Sequence, residues 1–293
     1  MIEKGIHHNT ETNQFDVEYA FIDDPKKLSN NFGQALKIAE CEERKLAKER
    51  LTEEFNDKFD EFLKLGTIEE ISQNEMDSWN GPVHYVSMQH VVKPDNLTTR
   101  LRVVINSSLK CPRTGLSLNE MLAKGPNILN DIWELLIRFR SYRVGLISDV
   151  TKAYHSLKTG ILEKHVRRVV WRHGDSKAAW RVYGFCVVTF GDRPAAVLLH
   201  IAILVTCQLY NSVDPLAARR LCTDMFVDDL CSGGEKEEVD RFMGDKEVDS
   251  LVCSGTMSRI MRRGGLNFKA MQKSGEEDGE KLKLLGGAVL GMG

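Results

Sequence analysis

Phe55, Phe59, Phe62 and Leu63 recur at i, i+4, i+7 and i+8, one apolar stripe on a helix, with charges on the opposite face. The pattern predicts helix over Ser29–Leu65, closed by Gly66 just past its end. Its acidic face reads as solvated. Trp79-Asn-Gly-Pro82 is a turn cluster. Val83–Val92 and Leu101–Ile105 follow as strands, joined by the polar, proline-containing loop Lys93–Arg100. Ser117 and Glu120 stand at capping-box spacing, and Gly125-Pro126 ends the helix they open. Leu129, Ile132, Leu135, Leu136 and Phe139 form the apolar face of the next helix, and Arg143–Asp149 is an apolar strand ending in a carboxylate.

Val166–Trp171 and Trp180–Phe185 read as a hairpin about Gly174-Asp175, with Arg167, Arg168 and Arg172 solvated. The longest apolar run, Ala195–Tyr210, is shorter than the ~20 residues a membrane span needs. It contains His200, Thr206 and Gln208 and reads as a buried helix, with Pro194 suited to its first position. Glu235–Arg263 is helical, imperfect at Ser254-Gly255 and closed by Gly264-Gly265. Leu266–Met271 is a strand, and Gly275–Lys281 a charged loop.

Leu221–Gly234 carries the most distinctive chemistry. Met225, Phe226 and Val227 are strand-prone, Leu230 and Cys231 are apolar, and Asp228 and Asp229 stand between them. Asp is poor inside a strand and good in a tight turn, so the segment reads as a hairpin with both carboxylates at its tip. Such a pair alone is an ordinary polar turn. Two like charges side by side do repel unless a cation with oxygen preference neutralises them. Asp149, at the end of another strand, supplies a third carboxylate. Two adjacent strands could bring Asp149 beside Asp228 with room for two cations, the arrangement that serves phosphoryl transfer.

A strand ending in Asp149 with Tyr154 five residues later, followed by the Phe226-Val-Asp-Asp229 hairpin, resembles the palm of reverse transcriptases. Lys93–Asn106, Gly115-Leu-Ser-Leu-Asn119, Leu136-Ile-Arg-Phe-Arg140 and Val188-Thr-Phe-Gly191 extend the likeness. In that order they resemble the reverse transcriptase of BEL/Pao long-terminal-repeat retrotransposons, from about residue 15 to the last residue. The resemblance implies an α+β right-hand polymerase. Its palm would be an antiparallel sheet with helices on one face, a ferredoxin-like plan. Residues 1–28 would be an extended lead-in, 29–148 N-terminal helices and fingers, and 149–293 the palm, with a fingers insertion near 160–185. Leu282–Gly293 resembles the start of the family's next motif, so by that resemblance the chain would stop inside it, before the thumb.

The same resemblance implies the site residues. Asp149, Asp228 and Asp229, with the backbone of Val150, would hold two Mg²⁺, or Mn²⁺. Arg102 and Lys93 would bind the triphosphate, and Tyr154 would lie under the incoming sugar. Phe190 and Gly191 would approach the nucleotide, and Lys269 would protonate pyrophosphate. Asn106 stands where the family usually has Asp, and Pro194-Ala-Ala196 where Ser-Ala-Pro is common. The implied reaction is RNA-directed DNA synthesis from deoxynucleoside triphosphates on a primed RNA or DNA template. Protease, ribonuclease H and integrase would lie elsewhere in a longer polyprotein. The alternatives are an inactive retroelement remnant that at most binds nucleic acid, or a different two-metal phosphotransferase.

Composition narrows the setting. The 293 residues are 42% hydrophobic and 28% charged, with a net charge of −2, ordinary for a globular protein. Residues 1–80 hold 19 acidic and 10 basic residues, whereas 133–183 hold 11 basic and 4 acidic, so a polyanion is expected to meet the middle of the chain. Seven scattered Cys without a Cys-x-x-Cys argue for a reducing compartment and against a disulfide framework or zinc site. The expected location is intracellular, in cytoplasmic virus-like particles or the nucleus, neither secreted nor in a membrane. His7-His8 reads as an exposed pair rather than a metal site.

Overall fold

The computed structural model describes residues 5–93, 100–244 and 254–274, and the backbone of 283–284 and 288–289. Most of the loop expected between Lys93 and Arg100, the middle of the helix expected over Glu235–Arg263, the charged loop after Gly275 and most of the motif from Leu282 lie outside the described residues.

In chain order the first elements are β1 (Ile6–Asn9), β2 (Gln14–Val17), α1 (Phe32–Glu49), α2 (Thr52–Lys64), β3 (Ile68–Glu70), α3 (Gln73–Ser78), β4 (Ser87–Val92) and β5 (Leu101–Asn106). Then come α4 (Leu118–Met121), α5 (Ile132–Ser141), β6 (Val144–Thr151), β7 (Leu157–Thr159), α6 (Ile161–Val166), β8 (Arg168–Trp171) and β9 (Arg181–Phe185). The last are α7 (Ala195–Leu209), α8 (Pro215–Asp224), β10 (Met225–Phe226), β11 (Asp229–Gly234), α9 (Lys236–Met243), α10 (Thr256–Arg263), β12 (Asn267–Phe268), β13 (Gln272–Lys273), β14 (Lys283–Leu284) and β15 (Ala288–Val289). The protein is a mixed α+β chain of small sheets and, among the described residues, ten helices. Among those residues no helix is long and apolar enough to cross a membrane.

The chain forms two compact units. One comprises Met1–His7, Asp16–Gly125 and Leu157–Ala195, and the other His8–Phe15, Pro126–Ser156 and Ala196–Gly293. Residues 126–148, grouped by sequence with the fingers, thus belong to the second unit, because α5 packs on its sheet. Leu157–Ala195, which contains the insertion expected near 160–185, returns to the first.

In the first unit the helical stretch 29–65 is two helices rather than one. Arg50 adopts φ +59, and the Leu51 N–H reaches back to the Leu46 carbonyl at 2.9 Å. Buried Leu46 and Leu51 flank the turn, the bonding and apolar contact of a Schellman ending. Arg occupies the left-handed position that Gly or Asn usually fills, so the local residues give no warning. Gly66 ends α2 as expected, with φ +64. Helix α1 packs Ala35 and Ala39 against Tyr85, Val170 and Val182, beside the sheet β3-β9-β8. The hairpin β4–β5 is tied to α1 by His90, whose ring nitrogens meet Glu42 at 2.6 Å and Glu49 at 3.0 Å. Ser117 and Glu120 form the expected capping box at α4.

The arginines expected in solvent are not there. Arg167 is fully buried, Arg168 is 4% exposed, and Arg172 pairs with Glu43 at 2.9 Å. Arg138, Arg143, Lys164 and Arg181 also pair with carboxylates, so at least six of the eleven basic residues in 133–183 serve internal or local pairs. Part of the basic middle segment is thus engaged in ion pairs. Several of these partners are distant in sequence, and composition cannot register them.

In the second unit β6 is central. Strands β11 and then β10 lie on one side, and β12 and β13 on the other, all antiparallel. Leu146, Leu230 and Ser232 are fully buried on one face, while Ile147 and Cys231 meet Leu135 and Phe139 of α5 on the other. Helix α7 is buried along most of its length. The expected helix 235–263 appears as α9 and α10, and an unforeseen helix, α8, stands before the hairpin. Asp214 caps α8 through the Leu216 and Ala217 N–H groups, with Pro215 at the first helical position. Gly265, at φ +71, closes α10 as expected, and a Cβ there would stand 2.0 Å from the Asn13 carbonyl. His8 departs from the exposed-pair reading: it is 9% exposed, its ring 4.8 Å from Phe15.

Candidate metal centre

The register fixes the carboxylates. Asp149 on β6 lies directly opposite Asp229, the first residue of β11. Opposed residues of an antiparallel pair share a face, with Cβ atoms about 4.5–5.5 Å apart. The turn that joins β10 to β11 is Val227-Asp228, so the tip differs from the expected Asp-Asp: Asp228 is on it and Asp229 is in the ladder. The reason is the pairing of Asp229 with Phe226 on one side and Asp149 on the other. Val227 adopts φ +56, a rare and strained conformation for a β-branched residue, of order 1–3 kcal/mol. The Val150 N–H donates to the Asp228 carbonyl at 2.8 Å, which pins the turn against the end of β6. Asp149, Val150, Asp228 and Asp229 therefore come together within one unit.

Lys269 arrives from the other side. Asn267 pairs with Thr151 and Phe268 with Val150, whereas Gln272 pairs with Ile147. Residues 269–271 thus oppose only Asp149 and Ser148, a one-residue bulge in what sequence reads as a continuous strand. The bulge begins at Lys269, whose N–H donates to the Asp149 carbonyl at 2.8 Å and whose ammonium pairs with the Asp149 carboxylate.

Burial is the largest influence on the ionisable groups here, and neighbouring carboxylates add to it. Burial pushes the Asp228 carboxyl above the usual carboxylate range; its own N–H pulls it down, the Asp149 charge adds to the rise, and Lys269 draws it partly back. Burial and then the Asp228 charge raise the Tyr154 hydroxyl. Burial, Asp229 and Asp224 push the Cys231 thiol up to about 12. Among the described residues no three His, Cys, Asp or Glu side chains are already gathered as a cage. The donors are nonetheless all hard oxygens and repel one another, which fits a divalent cation of the magnesium class.

Tyr154 is 5% exposed and follows β6 in a single 3-10 turn, Ala153–Ser156. The other residues expected at the nucleotide lie in the first unit. Arg102 is exposed on β5 opposite Val91, and the Lys93 N–H closes the base of its loop on the Arg100 carbonyl at 2.8 Å. Phe190 is 62% exposed, and Gly191 has φ +101 with the Ile105 carbonyl 2.6 Å from where a Cβ would stand. Gly191 is thus required by a close approach to β5.

Sequence reasoning missed the groups that hold this last loop. Asp192 and Arg167 are fully buried and meet at 3.0 Å. Asp192 also accepts from Ser107 at 2.5 Å, Tyr19 at 2.5 Å and Thr189 at 2.9 Å. Asn119 donates to the Gly191 carbonyl at 2.7 Å and accepts from the Arg193 N–H at 2.8 Å. The only local signal is Gly191-Asp-Arg-Pro194 itself. No protein-family model matches the chain, and no curated protein matches it.

Proposed function

We propose that this chain is the fingers and palm of an RNA-directed DNA polymerase of the BEL/Pao type. The observation that carries the reading is the register Asp149↔Asp229 with Asp228 on the adjoining turn, two carboxylates opposed across an antiparallel ladder and a third beside them. Asp149 and Asp228, supported by Asp229 and the Val150 backbone, would hold two Mg²⁺. Bound there, the ions would activate a primer 3′-hydroxyl and stabilise the leaving oxygen in attack on the α-phosphorus. Lys269 would turn its ammonium from Asp149 to the departing pyrophosphate and supply a proton at Nζ. Arg102 and Lys93 would hold the triphosphate by charge-assisted hydrogen bonds, and Phe190 and Gly191 would border the nucleotide.

Tyr154 would exclude a ribose by the bulk of its ring. Tyr154→Val should therefore raise ribonucleotide incorporation about tenfold or more, a difference of roughly 1.4 kcal/mol, while duplex affinity stays unchanged. Competing deoxy- and ribonucleotides in primer extension measure it, and equal discrimination by mutant and parent would remove Tyr154 from the role. The same assay tests the function. Mg²⁺-dependent extension on RNA and DNA templates is expected. Duplex retention without extension would favour the remnant, and phosphate release without templated synthesis a different phosphotransferase.

A further inference from the structure

We propose that Asp224 is the positioning residue of the Asp228–Asp229 turn: its buried carboxylate locks the base of the hairpin to α5 and so sets where the paired carboxylates stand. The inference rests on reading Asp149, Asp228 and Asp229 as a cation site.

The β11 leg is held along β6, but the β10 leg has little of its own to fix it. Strand β10 is two residues long, the ladder between β10 and β11 has two pairs, and the turn contains a strained Val227. The base is held instead. Asp224, the last residue of α8, is fully buried and receives four donors. Oδ1 accepts from Arg138 Nε at 3.0 Å and from Thr223 Oγ1 at 2.8 Å. Oδ2 accepts from the Tyr142 hydroxyl at 2.9 Å and from Ser232 Oγ at 2.8 Å. Ser232 lies on β11, so this one carboxylate joins the two legs of the hairpin. Arg138 lies on α5 and Tyr142 at its end, so the same group fastens the hairpin to that helix. Arg138 also donates to the Thr223 carbonyl at 2.7 Å, and Asn130 donates to the carbonyls of Cys222 and Met225 at 2.9 and 2.8 Å. Arg220 lies over the Tyr142 ring and donates to its hydroxyl.

Two physical points argue against a role in stability alone. A carboxylate at a helix C-terminus opposes the macrodipole, so α8 gains nothing from ending in Asp. A buried ionic network is seldom more stable than an apolar replacement of similar volume; what it supplies is one defined geometry. Four donors also match the four lone-pair sites of an ionised carboxylate. An amide in its place would turn an N–H₂ toward two of those donors.

The test is Mn²⁺ binding to the full chain, followed by the electron paramagnetic resonance signal of the free ion, with circular dichroism and melting as controls for folding. Asp228→Asn should abolish binding at the site. Asp224→Asn should weaken Mn²⁺ binding about tenfold or more, the usual effect of removing a group that orients metal ligands, while the chain still melts cooperatively. Ser232→Ala removes one bond and no charge, and should weaken binding in the same direction by less. If Asp228→Asn loses the ion while Asp224→Asn and Ser232→Ala bind it as the parent does, the positioning role is overturned and the cation site stands. If Asp228→Asn binds Mn²⁺ like the parent, the cation site fails and the proposal with it. Should Asp224→Asn not fold, Ser232→Ala decides: parental affinity overturns the proposal, and weakened affinity supports it.

Discussion

Asp228→Asn should lower primer extension about a hundredfold or more and, in chelator without divalent cation, should make the chain more stable at neutral pH. The first effect follows from removing a cation ligand that serves several kcal/mol of transition-state charge stabilisation. The second follows from the environment of the carboxyl. Burial and the Asp149 charge raise Asp228 above the range of an unfolded Asp. The folded chain therefore disfavours its charge, and the unfavourable contribution is complete above the folded pKa. It is relieved as pH falls through that value, because the folded chain then binds the proton more readily than the unfolded one. An amide removes the contribution at every pH. The melting temperature of Asp228→Asn should exceed that of the parent by the most near neutral pH, and the gap should close on acidification. A variant less stable than the parent at neutral pH would mean that Asp228 holds the hairpin rather than strains it. Stability gained at the expense of activity is the pattern of a site built for a cation.

The second large effect lies in the first unit. Arg167→Met should lower stability by about 3–5 kcal/mol, read as a fall in the denaturant midpoint, because it leaves a buried carboxylate without its counter-charge. Arg167 and Asp192 are both completely buried, and the guanidinium also donates to the Val187 carbonyl at 2.6 Å and the Phe185 carbonyl at 3.2 Å. Burial keeps the Tyr19 hydroxyl protonated far above its ordinary range, so it remains a donor to Asp192. Arg167→Met combined with Asp192→Leu should recover part of the loss, since no charge is then stranded. Recovery stays partial because Ser107, Thr189 and Tyr19 lose their acceptor. A midpoint within experimental error of the parent for Arg167→Met would show that water reaches the pair.

What was legible in the sequence is what neighbours decide. Gly66, Gly265, the Ser117–Glu120 capping box and the Leu135–Phe139 face of α5 each follow from a few adjacent residues, and each is in the structure. The unread features depend on partners far along the chain or on an atypical residue in a special conformation. Arg50 and Val227 take left-handed conformations that Gly or Asn would have announced. Arg167 looks like a surface cation until Asp192 and Tyr19 are beside it. The bulge at Lys269 is a difference in register, which the apolar pattern of Leu266–Met271 does not encode. In the candidate site, Asp149 and the Asp-Asp pair stood out by sequence, but the opposition of Asp149 to Asp229 did not. Asp224 offered no signal, because a carboxylate in Thr-Asp-Met-Phe gains meaning only from Arg138, Tyr142 and Ser232.

The most direct test of the central claim is template-directed extension by the full chain, supplied with Mg²⁺, a primed RNA template and one deoxynucleotide at a time. Addition of the complementary deoxynucleotide only is expected, abolished by chelation and by Asp149→Asn. Extension that ignores the template, or that survives Asp149→Asn, would contradict that claim.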